Sequence, residues 1–167
     1  MVEKPGNDDF ERLVRENQRV VHAIALSVVG NAMDAQDVAQ DAFIRAFAKL
    51  QSLRDPQRFR AWVCRISRRL ALNRVRFNSR LRKRDEVLLE DASAVVDVES
   101  VAADREFEQR VRVAIDGLPE KFREVVLLCG IDGLEPSEVA SILGVPAGTV
   151  RSRLHAARKR LMQGLSS

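Results

Sequence analysis

The sequence has few of the residues that build stacking platforms or metal sites. Tyrosine is absent, and the eight aromatic residues, seven phenylalanines and one tryptophan, are spread over 167 positions. This number is too small for a surface on which successive unpaired bases stack on aromatic rings. Two cysteines and two histidines form neither a CxxC pair nor a Cys/His cluster. We therefore expect no zinc site and no cofactor, and interpret Cys64 and Cys129 as buried thiols in a reducing compartment.

A long apolar run is missing too. The longest uncharged stretch near the N-terminus, VVHAIALSVVGNAM, has fourteen residues, whereas a helix that crosses a bilayer needs about 20. The N-terminus is polar and acidic, unlike a secretory signal peptide. These features predict no membrane insertion and a cytoplasmic location.

The groups that catalysis requires are equally scarce. The sequence contains no Gly-rich phosphate loop and no paired His/carboxylate cluster, and its acidic residues are concentrated in one segment instead of a metal-binding group. We therefore predict that the chain is not an enzyme.

Charge is distributed in three blocks. Residues 1–84 carry a net charge of +9, residues 85–108 carry −8, and residues 109–167 carry +3. From residue 54 to residue 84 there are twelve basic side chains and one acidic one. Like charges four residues apart on a helix repel each other, and a polyanion would relieve that repulsion. The pattern predicts two modules that face nucleic acid, joined by an acidic tether.

Apolar residues recur at helical spacing along most of the chain, so an all-α fold of two small helical domains is predicted. The N-terminal domain takes residues 1–84, a flexible acidic linker takes residues 85–107, and the C-terminal domain takes residues 108–167. In the linker, acids alternate with small and branched apolar residues. Helices are predicted at residues 8–29, 34–51, 60–82, 104–116 and 120–130, followed by a helix-turn-helix.

The second and third of these helices each have a predicted apolar stripe. The second is predicted to begin at an N-cap, Asp34. Its buried stripe is predicted to comprise Val38, Ala42, Ala46 and Leu50. The stripe of the third is predicted to comprise Trp62, Val63, Ile66, Leu70 and Val75.

The segment GLEPSEVASILGVPAGTVRSRLHAARKRL, residues 133–161, predicts the helix-turn-helix. Pro136 suits the first position of a helix, and Gly144 suits the left-handed residue that closes it. In the second helix, one face is formed by Val150, Leu154, Ala157 and Leu161. Five basic residues and no acidic one occur from Val139 to the C-terminus. An ordinary hairpin with a solvated charged face would mix signs, so DNA binding is favoured.

The helix at residues 34–51 leaves two interpretations open. Phe43 and Phe47 lie beside a polar strip that includes Asp37 and Asp41. The two rings could belong to the core, or they could form a docking surface for a partner protein. From the residues alone, the core is favoured.

Three stretches together resemble bacterial RNA polymerase sigma factors of the extracytoplasmic-function type. DAQDVAQDAFIRAFAKL, residues 34–50, resembles the helix that grips the polymerase clamp. FRAWVCRISRRLALNRVR, residues 59–76, resembles the helix that melts the promoter and recognises its minus-ten element. Residues 118–161 resemble the domain that reads the minus-thirty-five element. The resemblance covers nearly the whole chain from Phe10 onward.

The resemblance assigns roles to three sets of residues. It implies that core polymerase is bound by Asp37, Gln40, Asp41, Phe43, Ile44 and Phe47, so the two rings become part of a docking surface. It implies that the melted minus-ten strand is bound by Leu53, Arg54 and Arg58, in a loop that receives a flipped base, and by Arg65, Arg68, Arg69, Asn73 and Arg76. It implies that the minus-thirty-five element is bound by Gly148, Thr149, Arg151, Ser152, Arg153, His155, Arg158 and Lys159.

The function implied is that of an alternative sigma factor, which binds core RNA polymerase and directs it to specific promoter DNA. Factors of this type are held inactive by an anti-sigma factor, often at the inner face of the membrane, so such a partner is also implied. The alternative is a stand-alone helix-turn-helix transcriptional regulator. It would need neither the docking helix nor the basic helix before the linker.

Overall fold

A computed structural model of the chain describes residues 6–85 and 104–166, and within these ranges it is helical, without strands. Seven α-helices follow in order: α1 Asn7–Val29, α2 Ala32–Lys49, α3 Phe59–Asp85, α4 Asp104–Asp116, α5 Glu120–Val125, α6 Pro136–Leu143 and α7 Ala147–Leu165. Of the predicted flexible linker, 85–107, residues 86–103 lie outside the described residues. The prediction is wrong at both ends of this segment, because Asp85 belongs to α3 and residues 104–107 belong to α4. The all-α prediction is confirmed.

The N-cap of α2 lies three residues earlier than predicted. Gly30 adopts φ 80° and ends α1, with its N–H donating to the carbonyl of Leu26. Asn31, not Asp34, is the N-cap of α2: its side-chain oxygen accepts the N–H of Asp34 at 2.9 Å. A carboxylate oxygen of Asp34 in turn accepts a hydrogen bond from the side-chain amide nitrogen Nδ2 of Asn31 at 3.0 Å. Asparagine and aspartate both cap helices well. The two bonds between Asn31 and Asp34 require Asn31 at the N-cap and Asp34 in the first turn of α2.

The helices α1, α2 and α3 pack together as the N-terminal domain. The predicted stripe of α2 is buried, namely Val38, Ala42, Ala46 and Leu50. In α3 the buried side chains end at Ala71, and Val75 is 39% exposed, so the predicted stripe is one residue too long. The helix continues for fourteen residues beyond the last buried side chain. Most of this second half of α3 is exposed, although Leu72 packs against the core and Arg74 pairs with Asp34 at 3.3 Å.

The C-terminal domain contains a π-helical segment that the sequence did not indicate. The predicted helix at residues 120–130 is α5 followed by a π-helical turn, Val126–Ile131. Here the N–H of Asp132 bonds the carbonyl of Leu127, five residues earlier, at 2.9 Å. The wider turn leads into the loop before α6, with Val125, Val126 and Leu128 all buried.

The helix-turn-helix has the predicted geometry. Pro136 occupies the first turn of α6, and Gly144 ends that helix at φ 69°. On α7, Val150 and Ala157 are buried, and Leu154 packs against them from a partly buried position. The opposite face of α7 is open to solvent. The predicted apolar face of this helix is confirmed.

Replacing Gly144 by alanine should lower the free energy of unfolding by about 1 kcal/mol, because only glycine adopts a left-handed backbone without penalty. A Cβ at this position meets nothing within 4 Å, so the cost comes from the backbone alone. Gly148→Ala is the matched control, since Gly148 lies in α7 with open space around it and no positive φ. It should be neutral or stabilising. Urea denaturation measures both, and equal shifts of the two midpoints would contradict this explanation.

The two domains share one hydrophobic core in this structure. A single cluster of buried side chains joins Val21 and Val63 of the N-terminal domain to Val125 and Val139 of the C-terminal domain. Helix α1 contacts α5 and the π-helical segment, and α3 contacts α6. The two domains therefore pack directly against each other in this structure.

Candidate DNA- and protein-binding surfaces

The outer face of α2 combines exposed acids with exposed apolar side chains. Asp37, Gln40 and Asp41 are all exposed, Ile44 is 61% exposed, and Phe47 is 52% exposed. Each of these residues lies three or four positions from another member of the set, so they share one side of the helix. Exposed large apolar side chains that share a face with carboxylates are typical of a protein-binding surface.

The sequence left open whether Phe43 and Phe47 of α2 belong to the core or to a docking surface, and the structure places them differently. Phe43 is partly buried and packs against the shared core. Phe47 lies at the surface, where its ring makes an edge contact with Phe10 of α1, with ring centroids 4.9 Å apart. Phe10 in turn contacts buried Phe59 of α3 at 6.2 Å. Phe10 therefore holds the Phe47 ring on its inner side, while the outer side of the ring is exposed to solvent.

Met33 is a member of this face that the sequence reasoning missed. Its side chain is 79% exposed, and its position, eleven residues before Ile44, places it on the same side of the helix. The helical spacing of Met33, Gln40 and Ile44 was the signal available in the sequence.

A basic face runs along the exposed side of α3. Arg69, Asn73 and Arg76 are exposed and lie on one side of the helix. Arg80 is also exposed and continues this face by one turn, although it was not among the predicted residues. A helix face of this kind can bind successive phosphates of a nucleic-acid strand.

The loop before α3 is stabilised by hydrogen bonds and an ion pair of Asp55. Residues Leu50–Ser52 and Pro56–Arg58 form two 3-10 turns. Asp55 caps the second turn by accepting the N–H of Gln57 at 3.0 Å, and its carboxylate lies 3.6 Å from Arg58. Leu53 packs against the core, while Arg54 is exposed. The loop presents Arg54 and Arg58 beside the start of α3.

Two of the predicted strand-binding arginines, Arg65 and Arg68, hydrogen-bond to another part of the chain, although Arg65 is itself exposed. Arg65 donates from Nε to the carbonyl of Ser141 at 2.9 Å. Arg68 donates from Nε to Glu124 Oε1 at 2.8 Å, and its side chain is 27% exposed. Both partners belong to the C-terminal domain. The structure thus separates these two arginines from Arg69, Asn73 and Arg76.

Glu124 is the most deeply buried charged side chain among those described, with 1% of its surface exposed. Burial raises the pKa of Glu124, and the hydrogen bond and the charge of Arg68 act against that shift. A buried carboxylate is costly unless it is paired, so Arg68 is its main compensation.

The N-terminal half of α7 presents the predicted minus-thirty-five residues on one face. Gly148, Arg151, Ser152 and His155 are exposed, and one turn further along so are Arg158 and Lys159. Thr149 is partly buried, and its carbonyl accepts a hydrogen bond from the hydroxyl of Ser152 at 3.0 Å. A helix with exposed basic and polar side chains at its N-terminal end can enter the major groove.

Arg153 departs from the predicted set. Its side chain is only partly exposed, and its charge lowers the pKa of Glu124, which places it on the side of α7 that faces α5. Arg160 has a structural role as well, because its guanidinium lies 5.0 Å from the centre of the Phe122 ring. The helix spacing of Arg151 and Arg153, two residues apart, already puts them on different sides.

The two cysteines have different surroundings. Cys64 is fully buried in α3, and burial raises its pKa to about 12, against the opposing charge of Arg60. Cys129 is partly exposed, and burial raises its pKa as well. In the described part of the chain, His, Cys, Asp and Glu side chains form no group of three that could hold a metal ion.

We expect one fast-reacting thiol in the native protein. At pH 8 a pKa of about 12, against 9.0 for an ordinary thiol, reduces the thiolate fraction of Cys64 by roughly a thousandfold. Ellman's reagent should therefore modify Cys129 first, and Cys64 only after unfolding in guanidinium chloride. The Cys129→Ser variant should lose the fast phase, and a fast phase that survives in it would contradict the assignment.

Two family models match the chain. Sigma-70 region 2 matches residues 13–81, which include α2 and most of α3. Sigma-70 region 4 matches residues 108–161, which include α5, α6 and most of α7. In 6–85 and 104–166, no helix has the length and apolar character needed to span a membrane.

Curated relatives and solved structures agree with these matches. The ECF RNA polymerase sigma factor SigE of Mycolicibacterium smegmatis is 37% identical over 94% of this chain, which spans 62% of SigE. The ECF RNA polymerase sigma factor SigW of Bacillus subtilis is 30% identical, with 98% of this chain and 92% of SigW covered.

A similar solved structure is the sigma factor RpoE of Bartonella quintana, in complex with the anti-sigma factor NepR. It has a TM-score of 0.76 and 26% identity, and the match covers 95% of this chain and 98% of RpoE. From the two family models and the extent of these matches, we conclude that the chain belongs to the ECF family of RNA polymerase sigma factors.

Proposed function

We propose that this chain is an alternative sigma factor that binds core RNA polymerase through the outer face of α2. The observation that carries this proposal is the exposure of Ile44 and Phe47 beside Asp37 and Asp41. The core of the N-terminal domain uses the opposite side of α2, so its packing does not account for these side chains. A surface with an apolar centre and charged surroundings has the composition of a specific protein interface.

Promoter recognition is divided between two basic faces. The face of α3 formed by Arg69, Asn73, Arg76 and Arg80 suits a single strand, because its four exposed side chains follow one another at steps of three and four and can contact successive phosphates. The loop that contains Arg54 lies at the start of α3 and would receive a base flipped out of the stack. Flipping costs a few kcal/mol, so a loop that rewards one base contributes specificity.

The exposed face of α7 suits duplex DNA. Arg151 can form a bidentate contact with guanine, and Ser152 and His155 can reach neighbouring base edges. Arg158 and Lys159 lie further along the same helix and would bind phosphates. The protein would thus bind duplex DNA through α7 and the melted strand through α3.

We further infer that an anti-sigma factor restrains this chain, as NepR is bound to RpoE of B. quintana. The chain would act in the cytoplasm, where the polymerase is, and an anti-sigma partner at the inner membrane face could hold it there. It would perform no covalent chemistry of its own, since its role is to position the polymerase.

The decisive experiment is run-off transcription with bacterial core polymerase on a pool of genomic fragments, with and without the chain. Discrete new transcripts would support the proposal and reveal the promoter elements together. If no transcript appeared and core polymerase did not co-purify with the chain, the proposal would be wrong. In that case a stand-alone helix-turn-helix regulator would account for α7, and α2 would be an ordinary core helix.

A further inference from the structure

The C-terminal domain binds two arginines of α3, Arg65 and Arg68, to which the family resemblance assigns contacts with the melted strand. Arg68 binds Glu124 with both ends of its fork: Nε lies 2.8 Å from Oε1 and Nη2 lies 3.5 Å from Oε2. Arg65 binds Ser141 in a similar way, with Nε 2.9 Å from the carbonyl and Nη2 3.3 Å from the hydroxyl oxygen. These N–H groups cannot bind a phosphate while they make these bonds.

Glu124 presents to Arg68 the same kind of group that DNA would present. A guanidinium binds carboxylate and phosphate through the same planar pair of N–H donors. The carboxylate is almost completely removed from solvent, so water does not weaken this attraction as it would at an exposed site. Glu124 therefore occupies N–H donors of Arg68 that a strand phosphate would need.

Other contacts between the domains surround these two. Arg60 of α3 lies 2.9 Å from Glu138 of α6, and Arg19 of α1 lies 3.3 Å from Asp132. Arg123 of α5 donates to the carbonyl of Ser27 in α1 at 2.9 Å. Beneath them lies the shared apolar core. The contact between α3 and the C-terminal domain is thus one part of an extended interface.

We propose that the C-terminal domain is an internal competitor of single-stranded DNA on α3, with Glu124 and Ser141 occupying Arg68 and Arg65 in the free chain. This inference rests on the proposed function, which assigns α3 to the melted strand. Competition of this kind is reciprocal: DNA that takes the two arginines weakens the interface, and a closed interface weakens DNA binding by the same factor.

The test measures strand binding by the full chain without polymerase. The probe is a fluorescein-labelled single-stranded oligodeoxynucleotide of mixed sequence, followed by fluorescence anisotropy at low salt. Glu124→Gln should bind it about tenfold more tightly than the unmodified chain, the factor that corresponds to 1.4 kcal/mol. Glu108→Gln on α4 is the matched control, because it removes the same charge from an exposed position. Equal affinities for the two variants would overturn the proposal.

A second pair of variants separates release of Arg68 from a general loosening of the fold. In an Arg68→Gln background, the added Glu124→Gln change should give no gain in strand binding, because the arginine to be released is absent. A gain that persists there would also overturn the proposal. Ser141→Arg tests the other contact from an exposed position, where it should repel Arg65 and again increase strand binding. Circular dichroism melts verify that each variant is folded.

Run-off transcription by the unmodified chain keeps the two proposals apart. Transcripts without a gain for Glu124→Gln would remove only the internal competition. No transcripts and no binding of core polymerase would remove the proposed function, whatever the oligonucleotide measurements gave.

Discussion

Replacing Ile44 by glutamate should weaken binding of the chain to core RNA polymerase by about a hundredfold, while leaving the fold intact. The side chain is 61% exposed on α2, so a carboxylate there costs little in the free protein. In the complex the same carboxylate would be buried in an apolar contact without a partner, which costs several kcal/mol. Biolayer interferometry with immobilised core polymerase measures the loss.

Val113→Glu is the matched control for this experiment. Val113 is on α4 and has the same exposure as Ile44, 61%, so the two variants add the same charge at equally exposed apolar positions. Val113→Glu should bind core polymerase within a factor of about three of the unmodified chain, as expected for a surface change outside the interface. Similar losses for both variants would mean that charge, and not the face of α2, determines the affinity.

Removing the side chain of Arg151 should reduce transcription from the cognate promoter by about ten- to a hundredfold. A bidentate arginine–guanine contact discriminates by about 1–3 kcal/mol, and a truncation at that position forfeits it. Substitutions at the contacted base pair should then matter less for Arg151→Ala than for the unmodified chain. The measurement is run-off transcription on a panel of promoters with single substitutions in the minus-thirty-five element.

Lys159→Ala provides the contrast on the same helix. Lys159 is exposed two turns further along α7, where we assign it to a phosphate. Its loss should weaken all promoters about equally and lower the salt dependence of binding by roughly one ion. If Arg151→Ala instead behaved in this uniform way, Arg151 would be a phosphate contact and the base-reading residue would lie elsewhere on α7.

The helices and the helix-turn-helix could be predicted because their information is local. Gly30 and Gly144 end helices for reasons visible within a few residues, and the periodic alanines of α2, together with Val38, fix its inner face. The errors occurred where two local solutions compete. Asn31 and Asp34 are both good N-caps, and two hydrogen bonds between them decide the choice: one from the Asp34 backbone N–H to the Asn31 side chain and one between the two side chains.

The remaining differences depend on contacts that local patterns cannot show. Val75 continues the apolar spacing of α3, but the helix is no longer covered at that point. The π-helical turn at Val126–Ile131 follows apolar residues that fit an α-helix equally well. The pairing of Arg68 with Glu124 joins residues 56 positions apart. Charge counting marked Arg68 as a ligand for a polyanion, but it could not show that the chain supplies an anion of its own.

The shared core also changes what counts as a module in this protein. Family models divide the chain into two regions, 13–81 and 108–161, whereas the buried cluster that holds Val21 and Val139 extends across that division. Cutting the chain between the regions would leave each half with an uncovered apolar surface, which favours self-association. A chimera that joins one of these halves to the other half of a relative would exchange the DNA-binding residues together with the apolar surface that packs against the other half. A single region is therefore enough to recognise a DNA element, but it cannot be moved into another sigma factor without repacking the shared core.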